Sequence, residues 1–278
     1  MKPTIRVGIE GARPVVLAEI RRRNTPVLVS ANSLWNDRSR QWRQTWRAYA
    51  DLDVALDSGG FVAMHRYGRF RWTAEQYAHL AAAMQPTWWA QMDFCCEPEI
   101  ASSRSQVFER IDRTAQALHQ CRQAAVMHGA QSPLIVLQGW HPSDYVSGPA
   151  FDDPSFVWPS LVGVGSVCRR ALHGSSGLLA VIGAIDRALP DYVRLHFFGV
   201  KGAALSYLRD HPRFASMDSM AWSMAARWDA LKRKRTCDAH WRAMHLSQWL
   251  DRQHQLSHST QLQLPLCNKK SASALTFP

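Results

Sequence analysis

The chain has 278 residues and is 46% hydrophobic, enough for one large domain with a substantial core, and its 33 Lys and Arg against 22 Asp and Glu leave a formal charge of +11. That excess points to a polyanionic partner, nucleic acid first, and carries no information about fold. The opening Met1-Lys2-Pro3-Thr4-Ile5-Arg6-Val7 has no apolar stretch of signal-peptide length and no window reads as a membrane span, so a cytoplasmic protein without membrane association is expected.

Residues 1–25 read as a hairpin or lid. The first strand-like run is Pro26-Val27-Leu28-Val29-Ser30. Basic residues then gather beside aromatics: Arg38, Arg40, Arg43 and Arg47 are interleaved with Trp42 and Trp46. Further clusters are Arg21-Arg22-Arg23, then Arg66, Arg69 and Arg71, then Lys232-Arg233-Lys234-Arg235. Arginine for phosphates beside aromatics for bases is a nucleic-acid pattern. Any one cluster alone reads more readily as a solvated face; four at this net charge favour a binding surface, with Arg40, Arg43, Arg47, Arg66 and Arg69 as its candidates.

The apolar run Asp53-Val54-Ala55-Leu56 ends at Asp57, which opens onto Ser58-Gly59-Gly60-Phe61. Thr73-Ala74-Glu75-Gln76 reads as a capping box opening a helix. Asp93 closes the run Thr87-Trp88-Trp89-Ala90-Gln91-Met92, and a helical pattern covers Ser103 to Ala125. Strand patterns follow at Pro133–Gln138, Ser160–Gly165 and Arg194–Gly199, alternating with helical ones at Gly177–Leu189 and Ala203–Asp210. The run Arg213-Phe214-Ala215-Ser216-Met217 closes on Asp218. Residues 222–252 are helical and rich in Trp and Arg, whereas the Gln/Ser/His-rich end is poorly periodic. One domain over 1–252 with a mobile or docking tail over 253–278 is expected.

Apolar runs alternating with helical patterns across short connections fit an α/β fold, a TIM-type (β/α)8 barrel with an N-terminal hairpin or lid and a C-terminal helical extension. Asp57, Asp93, Gln138, Gly165 and Asp218 then fall on the C-terminal rim, where such barrels keep their chemistry. An open doubly wound sheet would accept the same alternation, although no glycine-rich phosphate loop opens the first helix. Three strand-end carboxylates suggest an active site; each alone reads equally as a helix N-cap.

Taken in order, Asp57-Ser58-Gly59-Gly60-Phe61, Met92-Asp93-Phe94-Cys95, Leu137-Gln138-Gly139, Gly163-Val164-Gly165-Ser166, Phe198-Gly199-Val200 and Met217-Asp218-Ser219 resemble the tRNA-guanine transglycosylase superfamily over roughly residues 10 to 225. Met92–Pro98, Gly165–Arg170 and Asp218–Trp222 resemble its DpdA-type branch, which inserts 7-deazaguanines into DNA. The resemblance implies that Asp218 is the nucleophile at the sugar C1′, Asp57 the general acid/base, and Asp93 the acceptor for the N1–H and amino group of the base. Gln138 and the backbone near Gly163 and Gly165 would meet the purine carbonyl, with Phe61 and Phe198 on its faces and Ser58 and Gly59 lining the slot. Base exchange needs those parts: a nucleophile, a proton donor and a polar reader of the purine edge.

The superfamily's tRNA enzymes carry a Cys-x-Cys-x-x-Cys zinc motif that this chain lacks. Cys237 and His240 with His245, or with His254 and His258, have spacings that a tetrahedral structural zinc could use, while the transfer chemistry itself needs no cofactor. The remaining cysteines, at 95, 96, 121, 168 and 267, read as reduced thiols. The expected activity is therefore DNA-guanine transglycosylation with a 7-deazaguanine precursor base, in company with other proteins of a modification pathway. The same chemistry on tRNA and a non-catalytic nucleic-acid-binding barrel stay open; a metal-dependent hydrolase lacks the early His-x-His.

Overall fold

A computed structural model describes residues 3–168 and 170–258. Its strands, in chain order, are β1 (Thr4–Ile9), β2 (Val27–Ser30), β3 (Trp35–Asn36), β4 (Gln41–Trp42), β5 (Val54–Asp57), β6 (Trp88–Trp89), β7 (Val136–Leu137), β8 (Leu161–Val164), β9 (Arg194–Phe197) and β10 (Phe214–Ser219). The helices are α1 (Pro14–Arg22), α2 (Ala31–Leu34), α3 (Gly60–Tyr67), α4 (Ala74–Met84), α5 (Arg104–His128), α6 (Pro149–Asp152), α7 (Leu178–Ala188), α8 (Leu205–Leu208), α9 (Ala221–Lys232) and α10 (Ala239–His258). Eight strands pair in parallel in the order β6-β5-β2-β1-β10-β9-β8-β7, with β3 and β4 set apart as a small antiparallel hairpin. The two edges of the sheet meet: Ala90 bridges Leu134, with the Leu134 amide donating to Trp89 at 2.7 Å and the Gln91 amide to Leu134 at 3.0 Å. That joint closes a (β/α)8 barrel and leaves no open doubly wound sheet.

Residues 4–22 are not a hairpin or lid; they supply the first barrel strand and first helix. Val7 and Ile9 pack outward with Val16, Leu17 and Ile20 of α1, in the layer between sheet and helices. Arg6 turns inward, salt-bridged to Asp53 at 2.9 Å and 5.5 Å from the Trp88 ring centre. A charge in mid-strand hid the strand pattern, yet Arg6 is buried with its two terminal guanidinium nitrogens bonded to Asp53 and one of them also to the Val27 carbonyl, leaving only Nε without a partner among the described residues. The interior is a packed core, not a pore: Leu28, Ala55, Trp88, Ala90, Leu134 and Val136 meet there, against Leu161 and Phe198.

The outer helices form where local chemistry directs. Thr73 and Gln76 exchange the two bonds of a capping box, at 3.2 and 3.0 Å, and start α4. Ser103 caps α5, which ends at Gly129 in the left-handed region. Helices α9 and α10 pack on one another and α10 returns to α1, where Arg23 reaches Asp251 at 2.7 Å and Ser247 at 2.6 Å. The helical extension thus completes the outer layer. Residues 253–258, expected in the polar tail, are the last turns of α10; the rest of that tail lies outside the described residues. No helix among the described residues is long and apolar enough to cross a membrane.

Two excursions shape the rim. After β2 the chain runs through α2, the β3–β4 hairpin and a 3₁₀ segment, Gln44–Tyr49; after β5 it runs through α3 to Trp72. Trp35, Trp42 and Trp72 pack together with ring centres 4.8 to 5.7 Å apart, and Arg71 bonds Asp37 and Asn32 across the two excursions.

Candidate active site

Asp57, Asp93 and Asp218 arrive at one rim from β5, the segment after β6, and β10. Asp57 ends β5 opposite Ser30 of β2, and Gly59 behind it holds φ +75 at the start of α3. A Cβ at Gly59 would sit 1.9 Å from Asn32 Nδ2, so only glycine permits both the left-handed turn and the Asn32 side chain, which donates to the Gly59 carbonyl at 2.8 Å. Burial first, then the Asp93 charge and more weakly that of Asp218, push the Asp57 carboxyl up to about 7; the Gly59 amide opposes them. A carboxyl poised there can give and take a proton near neutrality.

Asp93 is buried and accepts two side-chain hydrogen bonds, from Ser58 Oγ at 2.5 Å and Gln138 Nε2 at 2.5 Å. Desolvation raises its pKa while both donors oppose the rise. Gln138 follows β7 directly, and its Oε1 accepts from Ser166 Oγ at 2.6 Å, so both ends of the amide are held. Gly60 and Gly165 make this arrangement fit: a Cβ on Gly60 would lie 2.4 Å from the Asp93 carbonyl oxygen, and one on Gly165 2.2 Å from Gln138 Nε2.

Asp218 is buried, and its Oδ1 accepts the Gly199 amide at 2.9 Å. Gly199 can aim that amide because it holds φ +66, with Cys168 Cβ only 2.7 Å from where its own Cβ would stand. His196 Nε2 lies 3.4 Å from the same oxygen while Nδ1 meets Ser216 Oγ at 2.8 Å. Burial lowers the His196 pKa against the pull of Asp218, so the ring is neutral and leaves Asp218 without a strong ion-pair partner.

The other sequence candidates divide. The backbone near Gly163 and Gly165 is expected to meet a purine carbonyl; the amides of these two glycines themselves bond Ile135 at 2.7 Å and Leu137 at 2.9 Å in the barrel ladder. Their contribution is space: Gly163 leaves room for Phe198, as Gly165 does for Gln138. Phe198 stands edge-on to His196 and Trp88 at the top of the interior core, and Phe61 stacks on His65 at the first turn of α3. Sequence reasoning gave no site role to His196 or to Glu97, a buried carboxylic acid bonded to Ser166 at 3.0 Å. The signal available was a lone polar residue inside an apolar run, at His196 of Arg194–Phe197.

The structure also sorts the basic clusters. Arg21, Arg22, Arg23 and Arg71 are ion-paired with Asp51, Glu19, Asp251 and Asp37. Arg40, Arg43, Arg47, Arg66 and Arg69 are exposed and make no ion pair among the described residues, and all five lie on the two rim excursions that flank Asp57. Trp42 is scaffold rather than a free stacking platform, with Nε1 bonded to the Gln76 carbonyl at 2.7 Å.

A family model described as DpdA, DeoxyPurine in DNA protein A, matches residues 18–267, nearly the whole barrel and its extension. The chain belongs to the DpdA family. No curated protein matches it. Membership brings a DNA-modifying transglycosylase role and a DNA substrate.

In this DpdA-family chain the expected zinc ligands are not assembled. Among the described residues no three His, Cys, Asp or Glu side chains gather as a metal site. His240 and His245 sit five residues apart on α10, which turns them roughly 140° from one another at 3.6 residues per turn. His245 is buried between helices, 3.2 Å from Asp229 and against Trp241, while Cys237 lies before the helix starts. The side chain of His258 lies outside the described residues, and with it the alternative that adds His254 and His258. Among the described residues the cysteines form no disulfide with one another.

Proposed function

We propose that the protein exchanges guanine in DNA for a 7-deazaguanine precursor base through a covalent aspartyl-sugar intermediate. The observation that carries the reading is the set of three rim carboxylates, each in a different setting: Asp218 aligned by an amide, Asp93 held by two donors, and Asp57 raised to about 7.

Asp218 attacks C1′ with a carboxylate electron pair; the C1′–N9 bond breaks and its pair leaves with the purine. Protonated Asp57 gives its proton to the departing base. In the second half the incoming base loses its ring N–H proton to Asp57, its nitrogen attacks C1′, and the Asp218 ester bond breaks. Two inversions retain the β configuration. Asp93 accepts from the N1–H and amino group of either base, and the remaining Gln138 amide proton, without a protein acceptor among the described residues, donates to the carbonyl. The unpaired Arg40, Arg43, Arg47, Arg66 and Arg69 hold the phosphates around a target nucleotide that has left the stack.

The test is incorporation of labelled guanine or 7-deazaguanine base into DNA and into tRNA by the purified protein. Label should enter DNA. Label entering tRNA and not DNA would overturn the substrate assignment, and label entering neither, with both bases supplied, would overturn the activity.

A further inference from the structure

Behind the base-reading pair lies a buried chain of polar groups that admits a proton count. Gln138 Nε2 donates to Asp93 Oδ2 at 2.5 Å, Gln138 Oε1 stands 2.6 Å from Ser166 Oγ, and Ser166 Oγ stands 3.0 Å from Glu97 Oε2. Ser166 Oγ also accepts the Cys96 amide at 2.7 Å, and Cys168 Sγ lies 3.7 Å from Glu97 Oε1. Ser166 is held in this position at φ +50, with its carbonyl bonded by Tyr145 and Arg170.

The Ser166 hydroxyl has one proton and two acceptors facing it, Glu97 Oε2 and Gln138 Oε1. If Glu97 is ionised, one of them meets a lone pair in a buried site. If Glu97 Oε2 carries a proton, every group is satisfied: Glu97 donates to Ser166, Ser166 donates to Gln138, Gln138 donates to Asp93, and the Cys168 thiol donates to Glu97 Oε1. The alternative of a protonated Asp93 with the Gln138 amide reversed also closes the count. It places the negative charge on Glu97, whose side-chain donors among the described residues are one hydroxyl and one weak thiol, instead of on Asp93, which receives a hydroxyl and an amide at 2.5 Å each; both carboxyls also meet a backbone amide, so that does not separate them. The charge belongs where the donors are stronger.

We propose that Glu97 is a neutral carboxylic acid that acts as a positioning residue, fixing through Ser166 which end of the Gln138 amide faces Asp93 and so which hydrogen-bond pattern the site offers to a base. The base-reading role rests on the function proposed above; the protonation state does not. Desolvation, with the nearby Asp93 and Glu99 charges, pushes the Glu97 pKa in the same direction. Arg110 lies beyond Cys95 and Cys96, on the Cys95 carbonyl, and Arg170 holds the Ser166 carbonyl, so neither cation bonds Glu97.

The experiment uses Glu97→Gln, whose amide can donate to Ser166 and accept from Cys168 but cannot ionise, and Glu97→Ala, which can do neither. Infrared spectra of full-length protein with isotope-labelled glutamate should show a neutral carboxyl band at neutral pH that Glu97→Gln removes. A raised folded-state pKa contributes stability at low pH that is lost as pH rises through it, so the melting temperature of the wild type should fall with rising pH relative to Glu97→Gln. In exchange assays Glu97→Gln should keep the KM for the base within about twofold, whereas Glu97→Ala, which takes the donor away from Ser166 and leaves a void beside it, should raise that KM about tenfold or more. Absence of the band, a Glu97→Gln chain that fails to fold, or one as impaired as Glu97→Ala would each overturn the proposal. The infrared and melting measurements need no substrate, so their success without base exchange would sink only the function.

Discussion

Replacing Asp57 by Asn should flatten part of the dependence of stability on pH. The Asp57 carboxyl rises from an ordinary 3.8 to about 7 in the folded chain, because burial and the Asp93 and Asp218 charges disfavour its ionised form. A raised carboxyl keeps its full contribution below pH 4, loses it progressively up to about pH 7, and changes no further above that. About three units at 1.36 kcal/mol each give an upper bound of about 4 kcal/mol. Water reaching the rim reduces that, and about 2–4 kcal/mol is the working range. Urea denaturation of wild type and Asp57→Asn, at intervals from pH 4 to pH 8, measures the difference directly. The wild type should lose stability relative to the variant across that window, with most of the loss complete by pH 7. Parallel curves would refute the argument that burial and neighbouring carboxylates hold Asp57 protonated, and with it the case for Asp57 as the proton carrier.

Changing Arg40, Arg43 and Arg47 together to Ala should lower the slope of log affinity against log salt by up to about three, at roughly 0.9 for each phosphate no longer neutralised; an unchanged slope in a DNA titration would make this surface an ordinary solvated face. Gly165→Ala should weaken base binding about tenfold or more at unchanged kcat, because a Cβ 2.2 Å from Gln138 Nε2 displaces an amide clamped between Asp93 and Ser166. Base-titration kinetics of the purified variant would decide it, and a normal KM would show that Gln138 is not the reader.

The local signals in the sequence carried far. The Thr73–Gln76 capping box, the Gly177–Leu189 helix and the strand end at Asp57 stand where periodicity and end chemistry place them, Asp218 falls one residue before the end of β10, and Asp93 stands four residues past the end of β6. Each depends on neighbours within one turn or one strand. What escaped depends on partners far along the chain. The strand Thr4–Ile9 was hidden because Arg6, which looks like a surface residue, is neutralised inside the barrel by Asp53, 47 residues away. That the Gly163 and Gly165 amides are occupied in the ladder shows only in the pairing of β7 with β8. His196 and Glu97 are polar residues in a core, legible only once Asp218 and Ser166 stand beside them. The zinc spacing of Cys237, His240 and His245 was plausible along the chain and is undone by the turn of α10.

The claim on which the account turns is that Asp218 bonds covalently to the sugar. Wild-type protein mixed with DNA in the absence of an incoming base, then denatured and run on a gel, should give a shifted protein–DNA band that is discharged by adding 7-deazaguanine base. Asp218→Asn should give no such band and Asp218→Ala no exchange. Base exchange that persists in Asp218→Ala would contradict the account.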